Sequence, residues 1–269
     1  MRHLFSAEGD AALVAAMARR PLLAFDFDGT LAPIVARPDD ARVPAAVEHR
    51  LERLGRALPL AIVSGRRVDD VRSRMSFTPR YIVGSHGAED PWLPAAGSPG
   101  LLDAMRDRLQ AQAESLREAG VLVEDKQHSI ALHYRLSRQP ARAVELLTGL
   151  AGALPAGLRA FGGKLVMNIV ADGAADKATA VTRLLARSGA SAAIFLGDDV
   201  NDEPVFARAE PDWLTVKVGS DDPASLAMYY VEDLGEVAAL LERMLSLIVI
   251  DAPRAPGSPP AGQPPPDPR

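Results

Sequence analysis

The sequence predicts an α/β fold, a parallel sheet with helices on both faces, interrupted by an inserted α+β unit. Three observations carry this prediction. Short apolar runs alternate with helical patterns, the alternation that a parallel sheet requires. Three of the runs end in polar groups fit for chemistry: Asp26 to Thr30, Ser64 to Arg66, and Gly197 to Asp199. From Pro91 to Ala171 the alternation fails, and a Pro/Gly/Ala-rich stretch leads into helices and a hairpin.

The elements follow in order. Ser6 is placed to cap a short amphipathic helix that ends before Arg19. Leu22 to Phe27 (LLAFDF), Leu60 to Val63, Tyr81 to Val83 and Ala193 to Leu196 read as buried strands. Helices fit at Pro44 to Ala57, Arg67 to Met75, Lys177 to Arg187 and Glu203 to Ala209. Within the insertion, Pro91 to Gly100 reads as a linker and Leu101 to Ala119 as a helix. Val121 to Lys126 and Ser129 to Arg135 form a hairpin, followed by a helix at Ala141 to Leu150 and a strand at Lys164 to Val170. The expected organisation is a core of residues 1–90 and 172–251, an insertion at 91–171, and a tail at 252–269. That tail is mostly Pro, Gly, Ala and Ser, too poor in apolar groups to offset its ordering entropy, so disorder is expected.

Composition narrows the function classes. The 269 residues are 48% hydrophobic and 24% charged, the balance of a soluble globular chain. A formal net charge of -5 argues against nucleic acid as the partner, because phosphate backbones select basic surfaces. The chain has no cysteine, which excludes disulfides, thiolate metal sites and cysteine nucleophiles. No apolar run approaches the ~20 residues that span a bilayer. The apolar run Ala11 to Ala18 has acids before it and Arg19-Arg20 after it, the reverse of a signal peptide. A cytoplasmic protein without a membrane partner is expected.

Ligands of open α/β sheets bind beyond the carboxyl ends of the strands, so the three polar strand ends should share one crevice. Asp26 and Asp28 lie two residues apart and so face the same side of an extended segment. Gly29 permits a tight turn, and Thr30 offers a hydroxyl. With Asp198 they form a set of hard oxygen ligands, which Mg²⁺ prefers and zinc does not. Without a cation such carboxylates repel one another. Lys177 opens a helix, the end where the macrodipole disfavours a cation. A solvated lysine would tolerate that position; a lysine that neutralises a phosphate and an aspartate would explain it. Asp202-Glu203-Pro204 has the form of a helix N-cap followed by an early proline.

DFDGT (Asp26 to Thr30), Ser64, Lys177 and GDDVND (Gly197 to Asp202) together resemble the four signature motifs of the haloacid dehalogenase-like phosphohydrolases. The resemblance covers nearly all of the chain ahead of the tail. It implies a Rossmann-like core with an inserted α+β cap. By the resemblance, Asp26 is the nucleophile and Asp28 the general acid/base, while Ser64 and Lys177 orient the phosphate. Asp26, the Asp28 carbonyl and Asp198 would ligate Mg²⁺, supported by Asp199 and Asp202. Thr30, Gly65, Arg66 and His86 would stand around the substrate.

The strings VSGR (63–66), GSHGAE (84–89), EDKQHSIALHYR (124–135) and GDDVNDE (197–203) are similar, more specifically, to the trehalose-6-phosphate phosphatases. In the hairpin, Glu124 and Lys126 face one way, and a disaccharide's hydroxyls can use both as acceptor and donor. The family assigns these two to the sugar, with His133, Tyr134 and Arg135 mainly structural. The chain departs from the family at Asn168, where a sugar-binding Glu is usual; the basic residue and proline that follow are missing. Ala178 stands where glycine is usual. The implied activity is hydrolysis of trehalose 6-phosphate through an aspartyl-phosphate, with a trehalose-6-phosphate synthase as pathway partner. The competing readings are a phosphatase for another sugar phosphate, such as sucrose or glucosylglycerol phosphate, a phosphomutase, and a catalytically dead regulatory subunit.

Overall fold

The computed structural model describes residues 1–248 except Ala36 and residues 94–99. Most of the linker expected at Pro91 to Gly100, and the whole tail at 252–269, lie outside the described residues.

The chain opens with β1 (Arg2–His3) and α1 (Ala7–Ala18), where the Ser6 hydroxyl accepts from the Gly9 N–H at 3.1 Å. Next come β2 (Leu22–Phe25), α2 (Ala45–Ala57), β3 (Leu60–Val63), α3 (Val68–Ser73) and β4 (Tyr81–Val83). A second unit follows: α4 (Asp103–Ala111), α5 (Ala113–Glu118), β5 (Leu122–Asp125), β6 (Ser129–His133), α6 (Pro140–Ala151), β7 (Leu158–Gly163) and β8 (Val166–Ala171). The chain then runs through α7 (Lys177–Ser188), β9 (Ala193–Gly197), α8 (Glu203–Ala207), β10 (Leu214–Val218), β11 (Tyr229–Val231) and α9 (Leu234–Leu247).

Seven strands pair in parallel, in the order β1-β11-β10-β9-β2-β3-β4. The chain works outward from β2 through β3 and β4, then returns on the other side through β9, β10 and β11. This reversal at β2 and β9 is a topological switch point, where strand ends splay apart and leave a crevice. Both faces of the sheet are covered, which is why its strands read as unbroken apolar runs. Leu23, Phe25, Ile62 and Leu196 pack on one face with Leu13 of α1, Leu51 of α2 and Leu240 of α9. Leu22, Ala24, Val63 and Phe195 pack on the other with Val181 of α7 and Val205 of α8.

The second sheet is antiparallel, in the order β5-β6-β8-β7. Leu132 and Ile169 of this sheet form a separate core with Leu109, Leu116 and Leu147 from α4, α5 and α6. On the opposite face one rung runs Glu124, Ala131, Asn168, Phe161, by register across all four strands. That rung faces the carboxyl ends of the parallel sheet.

Several element ends differ from the sequence reading. The strand expected to reach Phe27 ends at Phe25, because the chain turns there: Leu31 N–H donates to Phe27 O at 2.9 Å and Gly29 N–H to Ala32 O at 2.7 Å. The helix expected over Leu101 to Ala119 divides at Gln112, whose φ of -105° and ψ of 11° leave the helical region. The strand expected from Lys164 starts at Val166, since Leu165 adopts φ 59° in a hairpin turn. β1, β7, β10, β11 and α9 are additional to the predicted elements. β10 (LTVKV) is hidden from an apolar-run search because buried Thr215 and Lys217 interrupt it.

Candidate active site

The carboxyl ends of β2, β3, β4 and β9 and the first turn of α7 meet at the switch point. Asp26 follows β2 and is 5% exposed. Its Oδ1 accepts from the Phe27 N–H at 2.7 Å and lies 2.9 Å from Lys177 Nζ. Lys177, 1% exposed, also donates to Asp202 Oδ1 at 2.7 Å. Asp202 in turn accepts the N–H groups of Asp198 and Asp199 on its other oxygen, each at 3.0 Å. A lysine at a helix start is thus held by two carboxylates, and the solvated reading of Lys177 is excluded. Burial disfavours its charge, but Asp202 and Asp26 outweigh that effect and raise its pKa. Asp176 caps α7 by accepting from the Thr179 N–H at 2.8 Å.

One carboxylate oxygen each from Asp26, Asp198 and Asp202 lies within 4.8 Å of the others, and all three residues are buried. Burial lifts the Asp26 carboxyl well above the usual range; the charges of Asp202 and Asp198 add to the rise, and Lys177 opposes it. Asp198 is pushed up to about 6, by burial first and by the Asp202 charge second. Close, buried, mutually repelling carboxylates fit a hard divalent cation. A second amine besides Lys177 sits on this cluster, for Lys164 Nζ lies 2.6 Å from Asp198 Oδ2. Gly29 makes the close approach possible. It adopts φ +82°, and a Cβ there would fall 2.1 Å from Asp198 Oδ2. Gly29→Ala is therefore expected to cost about 1–2 kcal/mol from the left-handed conformation alone. Urea denaturation should show at least that loss, and unchanged stability would mean that the loop yields without cost.

The predicted residues divide by position. Asp26, Asp28, Gly65, Arg66, His86, Glu124, Lys126, Asn168, Lys177, Asp198 and Asp199 line one pocket of about 190 Å³ between the two sheets. Ser64, Thr30 and Asp202 do not line it. Ser64 is 1% exposed, and its Oγ accepts from the Arg66 N–H at 3.1 Å. Thr30, expected beside the substrate, is fully buried and directs its hydroxyl at Asp198 Oδ1, 3.5 Å away. It follows the Gly29 turn inward, so it meets the pocket-lining Asp198 from behind the pocket wall. Asp28 contributes no carboxylate to the acidic cluster. Arg66 holds both of its oxygens at 2.7 Å, which leaves the main-chain carbonyl as the group Asp28 can offer a cation. Arg66 is shared with Asp70 at 2.8 Å. Asp199 caps the turn after β9, accepting from the Val200 N–H at 2.8 Å, and its other oxygen accepts from the Lys164 N–H at 3.1 Å.

The antiparallel sheet closes the pocket from above. Glu124 Oε2 lies 2.9 Å from His133 Nε2 and 3.5 Å from Lys126 Nζ. Burial would raise the Glu124 pKa, but His133 and Lys126 hold it below the ordinary carboxylate value. Lys126 also donates to Gly65 O at 3.0 Å, tying the hairpin to the end of β3. His86 takes φ 58° after β4, and its Nε2 lies 3.3 Å from Asn168 Oδ1. Its ring fits because residue 65 is glycine; a Cβ there would fall 2.4 Å from His86 Cε1. Burial first, then the charges of Lys126 and Lys177, hold the imidazole well below its usual pKa and keep it neutral.

Among the pocket residues that escape the sequence reading, three are basic. His133 and Arg135, expected to be structural, both line the pocket, and Arg135 donates to Val35 O at 3.0 Å and Lys164 O at 3.3 Å. Lys164 was assigned to a strand. The available signal was the Gly162-Gly163 pair before it, which marks a hairpin turn rather than a strand start.

The family model for trehalose-phosphatase matches residues 24–226, which include every pocket residue described above. The chain belongs to the trehalose-phosphatase family. A trehalose-phosphate phosphatase of Mycobacterium ulcerans is 32% identical over 248 residues, covering 84% of this chain and 62% of its own length. An uncharacterized glycosyl hydrolase of Mycobacterium tuberculosis is 34% identical over 203 residues, covering 70% of this chain and 15% of its own. The chain therefore spans less than two thirds of these curated relatives. Among solved structures, the C-terminal domain of Candida albicans trehalose-6-phosphate phosphatase superposes with a TM-score of 0.75 at 19% identity. That match covers 89% of this chain and 97% of the other, and establishes the α/β fold of this family for the chain. Among the described residues, no helix is long and apolar enough to cross a membrane.

Proposed function

We propose that this member of the trehalose-phosphatase family is a Mg²⁺-dependent phosphatase that converts trehalose 6-phosphate to trehalose and phosphate. The observation that carries the reading is the Asp26–Lys177–Asp202 chain beside Asp198, opening into a pocket whose far wall is Glu124, Lys126 and Asn168. A phosphoryl site and a hydroxyl-reading wall thus face each other.

Asp26, the Asp28 carbonyl and Asp198 would hold the cation, which when bound offsets negative charge on the phosphoryl oxygens. Asp26 attacks phosphorus through Oδ2, since Oδ1 already receives Lys177 and the Phe27 N–H. The P–O bond to the sugar breaks, and Asp28 gives its proton to the leaving oxygen. For this, Asp28 must be released by Arg66, and the phosphate is the group that draws the guanidinium away. Water then attacks the aspartyl-phosphate, Asp28 takes the water's proton, and Asp26 is restored. Lys177 and the strand-end N–H groups keep the phosphoryl group oriented throughout, and Ser64, behind the pocket wall, holds the Arg66 N–H in place. Residues 91–171 act as the cap over a core of 1–90 and 172–251, and closure excludes water from the first step. A synthase that makes trehalose 6-phosphate is the pathway partner this reading entails.

Asn168 favours one further possibility, a different sugar phosphate. Its Oδ1 faces His86, and its buried Nδ2 has no hydrogen-bond partner. An amide in place of a carboxylate gives up a charge-assisted bond, roughly twice as strong as a neutral one. Phosphate release from a panel of sugar phosphates, with Mg²⁺ and with a chelator, tests both readings. Trehalose 6-phosphate should be the best substrate, and the chelator should abolish release. Glu124→Ala should lower kcat/KM for trehalose 6-phosphate about tenfold, through loss of a charged hydrogen bond, while changing hydrolysis of a small aryl phosphate little. Preference for another sugar phosphate would move the assignment to that sugar. Equal losses on both substrates would make Glu124 a structural residue.

A further inference from the structure

Two lysines divide the acidic cluster between them. Lys177 pairs with Asp26 and Asp202. Lys164 pairs with Asp198, a carboxylate that is itself buried. The two amines are held differently. Lys177 lies in the first turn of α7 and is enclosed by the parallel-sheet unit. Lys164 comes from the other unit, on the turn that joins β7 to β8, and its side chain is 41% exposed.

That turn rests directly on the loop after β9. The Lys164 N–H donates to Asp199 Oδ2 at 3.1 Å, and a Cβ on Gly163 would fall 2.8 Å from the same oxygen. Gly163 and Lys164 thus set the antiparallel sheet down on the two acids that follow β9.

Charge shows what this contact does to the cluster. With their carboxyls ionised, Asp26, Asp198 and Asp202 carry three negative charges, and the two lysines return two positive ones. The single charge left over is a poor match for a divalent cation. Without Lys164 two charges are left, and the match is complete. An ammonium against Asp198 also repels any cation that shares that carboxylate. Of the two amines, Lys164 is the one that can yield. Removing Lys177 would strand two buried carboxylates, whereas Lys164 can turn its charge out into solvent.

We propose that Lys164 is a built-in competitor of the divalent cation: its ammonium and the cation take Asp198 in turn, so that metal loading loosens the β7–β8 turn from the loop after β9. The inference rests on the Mg²⁺ dependence proposed above. Metal loading and docking of the second unit are thereby antagonistic.

Calorimetric titration of the full chain with MgCl₂ alone tests the competition without turnover. Lys164→Met should bind Mg²⁺ about tenfold more tightly than the wild type, because a charge that repels the cation is gone. Loss of charge would tighten binding even if the amine never moved, so hydrogen exchange of the wild-type chain supplies the second readout. Saturating Mg²⁺ should speed exchange of the amides at 163–166 several-fold, as expected when a local contact opens. In Lys164→Met these amides should exchange fast already and respond little to Mg²⁺. Equal Mg²⁺ affinity in the two proteins, or absence of binding by both, overturns the proposal. So does Mg²⁺ that leaves exchange of the wild-type turn unchanged or slows it, because amine and cation would then share Asp198. Failure of the proposed function would show differently: trehalose 6-phosphate would not be hydrolysed with Mg²⁺ present, while titration and exchange would still report the competition.

Discussion

Asp26→Asn is expected to lower turnover by roughly 10³-fold or more, because in the proposed mechanism Asp26 is the nucleophile and its loss removes the covalent route altogether. The amide nitrogen is not a nucleophile toward phosphorus, and the acidic cluster loses one of its three charges. The fold should survive. Lys177 keeps Asp202 at 2.7 Å, and the substitution relieves repulsion among buried carboxylates whose burial already pushes Asp26 toward its neutral form. Thermal melting should therefore stay within a few degrees of the wild type while phosphate release disappears. A variant that retained even a tenth of the wild-type rate would place the nucleophile elsewhere.

Lys177→Met should have the largest effect on stability. Lys177 is fully buried between Asp26 and Asp202, and its removal leaves two buried carboxylates without a counter-charge. Breaking a buried pair from one side costs about 3–5 kcal/mol, against about 0–1 kcal/mol for surface pairs such as Arg72–Asp69. The loss should depend on pH. Asp26 already has a raised pKa in the folded chain, and without Lys177 opposing burial it rises further. A carboxyl whose folded pKa exceeds its unfolded value takes up a proton on folding, so the variant regains stability as pH falls. The deficit is therefore smallest near the unfolded carboxylate value of about 4 and grows as pH rises through the folded pKa. Urea denaturation of both proteins at pH 5 and pH 8 measures this. A deficit that was small, or that grew on acidification, would mean that Lys177 is not the counter-charge of these aspartates. Turnover should fall as well, since the proposed mechanism has Lys177 orient the phosphoryl group.

The motifs on consecutive residues were legible because the chemistry and the backbone geometry are local. DFDGT needs a strand end and a turn, and Asp26, Asp28 and Gly29 supply both. Alternation along the hairpin placed Glu124 and Lys126 on one face, and they meet at 3.5 Å. The helix after Ser6 and the buried strands β3, β4 and β9 were legible for the same reason, since caps and apolar runs are short-range signals. Thr30 was misplaced because a hydroxyl two residues after Asp28 looks available, whereas the Gly29 turn sends it inward to Asp198. β10 was hidden by Lys217, a buried lysine whose Nζ donates to Asp198 O at 3.2 Å, a contact that only the neighbouring strand supplies. Lys164 read as a strand residue because the pattern shows apolarity and not the positive φ at Leu165.

The sequence by itself determined the fold class, the acidic cluster of Asp26 and Asp198 with its lysine, and the face of the hairpin that lines the pocket. Tertiary structure alone decided which groups pair across the crevice. Arg66 claims both oxygens of Asp28, 38 residues away; Lys164 reaches Asp198 across 34; and His86 meets Asn168 across 82. Those separations are bridged by strand order and register. A one-residue slip of β7 or β8 would turn Phe161 and Asn168 to the opposite face of their sheet. Residue spacing reports which face of its own element a side chain takes. The partner it finds there depends on how one sheet is set against the other, and that follows from the packing of three separate apolar cores.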